Sequence, residues 1–138
     1  MRKNSENFDS IKQSIEMLLV TLNDKLANLA RLVSILNSEE SSDSLESAIQ
    51  EKGITDHLIN EVERKIQEID FIARDNKKTS NKIDIQKIKS FKTKLKHIRK
   101  DFRKTVKKFE EGEKTTKRRQ NYFFSNIANI NSKRLKKN

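Results

Sequence analysis

The side chains able to do acid–base or covalent chemistry are few in this sequence, and their spacing does not assemble a reaction centre. The two histidines, His57 and His97, each sit among charged residues, and no HExxH or related metal-ligand spacing surrounds them. There is no cysteine, so a thiolate nucleophile, a thiolate metal site and a disulfide framework are all excluded. Neither glycine, Gly53 or Gly112, lies in a phosphate-cradling loop. The close carboxylates Glu61/Glu63 and Glu110/Glu111 read as solvated helix faces. The expectation is a protein that is not an enzyme and holds no cofactor or metal.

The remaining chemistry is cationic. Lys96, Lys100, Arg103, Lys107 and Lys114 recur at spacings that, on a helix, form a narrow strip about 100° around from Leu95. Such a strip could track phosphates by releasing their counterions. However, no Arg, Asn or Gln set is arranged as in a groove-reading helix-turn-helix, and no aromatic platform precedes Phe91. The strip is better read as flanking a core and facing acids of a second helix, for which Glu61, Glu63, Glu68 and Asp70 are available. This favours a structural or protein-partner role over nucleic acid.

The net charge of +11 is unevenly placed. Residues 1–70 carry 8 Lys/Arg against 14 Asp/Glu, and residues 71–138 carry 23 against 6, giving −6 and +17. Either a nucleic-acid footprint or a basic element packed beside an acidic one produces such asymmetry. The N-terminus lacks the apolar segment of a signal peptide. No run approaches the roughly 18 apolar residues that cross a bilayer, so the expectation is a soluble chain.

The elements that must position these charges are helices. Proline is absent, there are two glycines in 138 residues, and 37% of the chain is charged, so helix breakers are nearly missing. Phe8, Ile11, Ile15, Leu18, Leu22, Leu26, Leu29, Val33 and Leu36 form one continuous stripe, widened by Leu19, Val20, Leu32 and Ile35. This predicts a first helix over about residues 8–37. Polar residues 37–44 separate it from a second helix over about 45–75, whose stripe is Leu58, Val62, Ile66, Ile69 and Ala73, with Leu45 and Ile49 upstream. Polar residues 76–82 then precede Ile85, Ile88, Phe91, Leu95, Ile98, Phe102, Val106 and Phe109, the stripe of a long third helix over about 83–122. Residues 123–138 read as a basic tail or linker. A single stripe is unstable alone and must be buried against partners. The expected fold is therefore all-α: an antiparallel up-down-up three-helix bundle with a left-handed twist, spanning residues 1–122.

The order and length of these helices resemble the N-terminal Habc domain of syntaxins, the t-SNARE (Qa-SNARE) family. FDSIKQSIEMLLVTLNDKLANLARLVSILN is similar to helix Ha, INEVERKIQEIDFIARDN to Hb, and FKTKLKHIRKDFRKTVKKFEEGEKTTKRRQ to Hc. The most specific match is an aromatic-x-Glu-x-x-Lys-x-x-x-basic-Arg-Gln pattern, found in Hc of plasma-membrane syntaxins. Here it falls on Phe109, Glu111, Lys114, Arg118, Arg119 and Gln120. The resemblance covers residues 8–122. Beyond it, Phe123, Phe124, Ile127 and Ile130 give a short apolar pattern without a SNARE heptad or membrane anchor, so the expectation is the N-terminal domain alone. Tyr122, Phe123 and Phe124 either add one more turn to the third helix or begin a linker.

The resemblance implies a regulatory interaction domain in vesicle docking, membrane fusion and exocytosis. Its partners would be a SNARE motif, its own or another protein's, and an SM-family regulator; separately from the resemblance, the basic residues beside aromatics in residues 107–124 allow an anionic membrane surface as a further contact. It implies a location on the cytoplasmic face of the plasma membrane or endosomal system. It also implies a binding groove between Hb and Hc, with Lys96, Lys100, Arg103 and Lys107 bordering it and Glu61 and Glu68 opposite. The alternatives are a basic helical nucleic-acid-binding protein and a helical adaptor or surface protein unrelated to SNAREs.

Overall fold

The computed structural model describes the backbone of residues 2–38, 42–75 and 82–136, and side chains over residues 8–38, 45–75 and 82–115 and at Arg118. Three helices account for all of the described backbone: α1 (Arg2–Ser38), α2 (Ser42–Asp75) and α3 (Lys82–Lys136). Both described glycines are helical, and no residue takes a positive φ. α3 runs 55 residues and continues well past the expected end near residue 122. It takes in the segment read as a tail or linker, because residues 113–136 contain neither Gly nor Pro to stop a helix. Tyr122, Phe123 and Phe124 lie within this helical backbone, and their side chains, with those of Arg119 and Gln120, fall outside the described set.

Contacts between the helices fix their directions. Lys87 near the start of α3 meets Glu16 in the first half of α1 at 3.1 Å, and the later Gly112 lies against Leu36 and Asn37 near the end of α1, so α1 and α3 run parallel. α2 runs the other way, since Asp70 meets Lys92 while the earlier Glu63 meets the later Arg99. All three helices pack on one another. The result is an up-down-up three-helix bundle.

The interior has two apolar segments. The larger joins Ile15, Leu19 and Leu22 of α1 to Ile59–Ala73 positions of α2 and to Ile88, Phe91, Leu95 and Ile98 of α3. The smaller joins Leu29, Leu32, Val33 and Leu36 to Ala48 and Phe109. Phe102 is half-buried and touches both. Three expected stripe members are corrected: Val20, Ile49 and Ile85 are 63%, 49% and 45% exposed. On α2 the buried line passes instead through Ala48, Thr55 and Ile59. Ile49 is one residue, about 100°, away from that line. Thr55 is fully buried on that line, and its hydroxyl is satisfied by donating to the Glu51 carbonyl at 2.7 Å.

Beside the junction of the two segments, Lys25 Nζ donates to Glu51 Oε1 at 3.1 Å. The Glu51 side chain is 13% exposed, and its Oε2 is buried with no hydrogen-bond partner. Removing the lysine leaves a poorly solvated carboxylate, which costs more than the pair contributes. Lys25→Met is therefore expected to lower stability by about 1–3 kcal/mol, with Lys25→Met/Glu51→Leu recovering most of the loss in urea denaturation. Unchanged stability of the single variant would refute this.

The two glycines make opposite predictions. Nothing stands within 4 Å of a Cβ added at Gly53, so Gly53→Ala should stabilise by about 1 kcal/mol through helix propensity. A Cβ at Gly112 would run into Asn37 Oδ1 and come within 3.1 Å of Leu36 Cδ2. Gly112→Leu should therefore destabilise by about 1–3 kcal/mol through overpacking. Thermal melts of the two variants in parallel read both signs.

Candidate partner-binding groove

The antiparallel packing of α2 on α3 leaves an open groove of about 880 Å³ along their outer seam. Its floor is Ile66 and Leu95, 4% and 6% exposed, which also belong to the larger core segment. Glu63 and Gln67 form the α2 side, and Lys92, Lys96, Arg99, Lys100 and Arg103 the α3 side. Past Lys92 the seam continues into a second hollow of about 370 Å³ around Ala73, Ile85 and Ile88.

Two ion pairs close the seam. Lys92 Nζ donates to Asp70 Oδ2 at 3.0 Å, and the same oxygen meets Arg74 at 3.3 Å. Seven residues on in α3, Arg99 pairs with Glu63, which lies seven residues back in α2. This repeat of two helical turns places both clamps on the same flank of each helix. Being partly exposed, each contributes at most about 1 kcal/mol, so they act chiefly to set helix rotation. Once Asp70 and Glu63 are engaged, Lys96, Lys100 and Arg103 have no ion-pair partner among the described residues and are exposed. The groove thus has an apolar floor and a rim of unneutralised cations.

The expected site residues are brought together in part. Lys96, Lys100 and Arg103 line the groove, and Lys107 is exposed one turn beyond Arg103 without lining it. Glu61 and Glu68 do not line it. They stand about 160° and 140° around α2 from Glu63, on the flank away from α3. Of the Hc-like positions, Phe109 is buried in the smaller core segment with Lys52 Nζ 5.5 Å from its ring centre. Glu111, Lys114 and Arg118 are exposed.

Sequence reasoning missed Gln67, Lys92 and Arg99 as groove residues. Arg99 carried one usable signal, its place next to the core residue Ile98, about 20° from the α2-facing edge of the stripe. His97 reaches the groove rim and His57 is exposed on α2. Among the described residues no group of three His, Cys, Asp or Glu is gathered that could hold a metal ion, and no described helix is long and apolar enough to cross a membrane.

Comparison with known protein families, curated proteins and solved structures finds no match to this chain.

Because the rim cations repel one another without a described counter-charge, neutralising them should not cost folding stability. The Lys96→Gln/Lys100→Gln/Arg103→Gln variant is expected to melt at or above the parent temperature at low salt. The difference should shrink as salt rises from about 0.01 to 0.5 M and screens the repulsion. A clear loss of stability at low salt would show that these side chains have structural partners.

Proposed function

We propose that the chain is a non-catalytic interaction domain whose α2–α3 groove receives one helix of a partner, in the manner of a syntaxin-like regulatory domain. The observation that carries this reading is the pairing of a buried apolar floor, Ile66 and Leu95, with an exposed rim of cations that no described acid neutralises. An amphipathic helix laid along the seam would set its apolar edge on that floor. Acids spaced three and four residues apart on its flank would meet Lys96, Lys100 and Arg103, whose own spacing is four then three.

In this reading the chain regulates SNARE assembly in vesicle docking and fusion. The bundle and the partner SNAREs compete for one SNARE-motif helix, and a regulator such as an SM-family protein shifts the populations by binding one state better. The resemblance of residues 91–120 to Hc supports this assignment, and the groove supplies the physical means.

The test is calorimetric titration of the chain with a SNARE-motif peptide, beside a Gln67→Trp variant. Gln67 is exposed at the groove wall, so the indole should obstruct the seam without disturbing the core. Binding by the parent, weakened about tenfold or more in Gln67→Trp, a change of about 1.4 kcal/mol, is the expected result. No binding at low salt by a chain whose circular dichroism shows it folded, or equal binding by both proteins, would remove the proposal.

A further inference from the structure

The groove accounts for three of the unpaired α3 cations and leaves a longer feature unexplained. At about 100° per residue, one arc of α3, about 100° wide, holds nine Lys/Arg between Lys82 and Arg118 and a single acid, Glu111. All nine are exposed, and among the described residues none has an ion-pair partner. The line from Lys89 through Lys96, Arg103 and Lys107 to Lys114 is its centre. The cations that pair with α2, Lys92 and Arg99, sit at its inner edge. The arc therefore faces outward on the α2–α3 side of the bundle.

We propose that this ridge docks the protein on an anionic phospholipid surface. An uninterrupted helix, free of proline, presents the row as a straight line about 50 Å long. A flat anionic leaflet can engage such a line along its whole length. A duplex cannot, because its backbones turn away with a pitch of about 34 Å. Single-stranded nucleic acid is poorly served too, since the arc contains no aromatic residue on which bases could stack.

A second observation points the same way. Ile49 and Phe71 of α2 are 49% and 70% exposed. They lie about 40° and 80° beyond Glu63 on the outward side of that helix, beside the ridge. Apolar side chains so placed can enter the headgroup region while the lysines meet the charge above it.

The ridge extends beyond the groove, so this inference stands without the helix-docking reading and the two can be tested apart. Lys82, Lys107 and Lys114 belong to the ridge and line neither hollow of the α2–α3 seam. The experiment is co-sedimentation of the full chain with vesicles of phosphatidylcholine alone and of phosphatidylcholine with about 30 mol % phosphatidylserine. The Lys82→Gln/Lys107→Gln/Lys114→Gln variant is run beside it, with folding checked by circular dichroism. Each juxtaposed cation contributes on the order of fivefold to partitioning, so the variant should lose roughly tenfold or more. The expected result is binding to the anionic vesicles only, falling with salt, with SNARE-peptide affinity unchanged in the variant. Absence of binding to anionic vesicles at low salt, equal binding to both vesicle types, or undiminished binding by the folded variant would overturn the proposal. So would retention of duplex or single-stranded nucleic acid at about 0.15 M salt, where the vesicles no longer bind.

Discussion

The structure depends on burying the single apolar stripe of α3. That helix carries 19 basic and five acidic residues, a net +14, and its like charges oppose compaction at every turn. Ile88, Phe91, Leu95, Ile98 and Phe109 are each at most 6% exposed, and removing their surface from water is what holds the helix against α1 and α2. Because one narrow stripe does the holding, the rest of the circumference is free to carry charge. The groove rim and the outward ridge are both consequences of this division.

α2 supplies the counterpart. It bears nine acids and four basic residues, yet among the described residues only Asp70 and Glu63 pair across the α3 seam. Two clamps spaced by two turns fix the rotation of α3 about its axis without neutralising it. Lys25 and Glu51 do similar work between α1 and α2, beside the place where the apolar interior divides and Thr55 is buried. At the far end Gly112 lets α1 and α3 approach closely. Charge pairs and one missing side chain thus set register and rotation, while apolar burial supplies the stabilisation.

Much of this was legible in the residue pattern. Three runs at three-four spacing, with no proline to interrupt them, specified three helices, and the stripe of α3 was read almost residue for residue. The misreadings were of two kinds. Val20, Ile49 and Ile85 are apolar but exposed, whereas Ala48 and Thr55 are small or polar but buried, because face and neighbour decide burial more than hydropathy does. The expected end of α3 falls too early because the resemblance to Hc stops at residue 122 and the apolar pattern beyond it is short. A helix needs a breaker to end, and residues 113–136 contain none.

The candidate site divides along the same line. The sequence by itself determined that Lys96, Lys100, Arg103 and Lys107 share one side of a helix, since a fixed 3.6-residue period leaves no freedom in the matter. Which acids of α2 would face them was decided by the tertiary structure. Glu61, Glu63, Glu68 and Asp70 were equal candidates on composition, and a rotation of α2 by less than half a turn would have exchanged them. The packing of Val62, Ile66, Ile69 and Ala73 into the interior chose Glu63 and Asp70 and turned Glu61 and Glu68 away. Periodicity fixes relations within one helix, and the fit between two helices fixes which flanks meet.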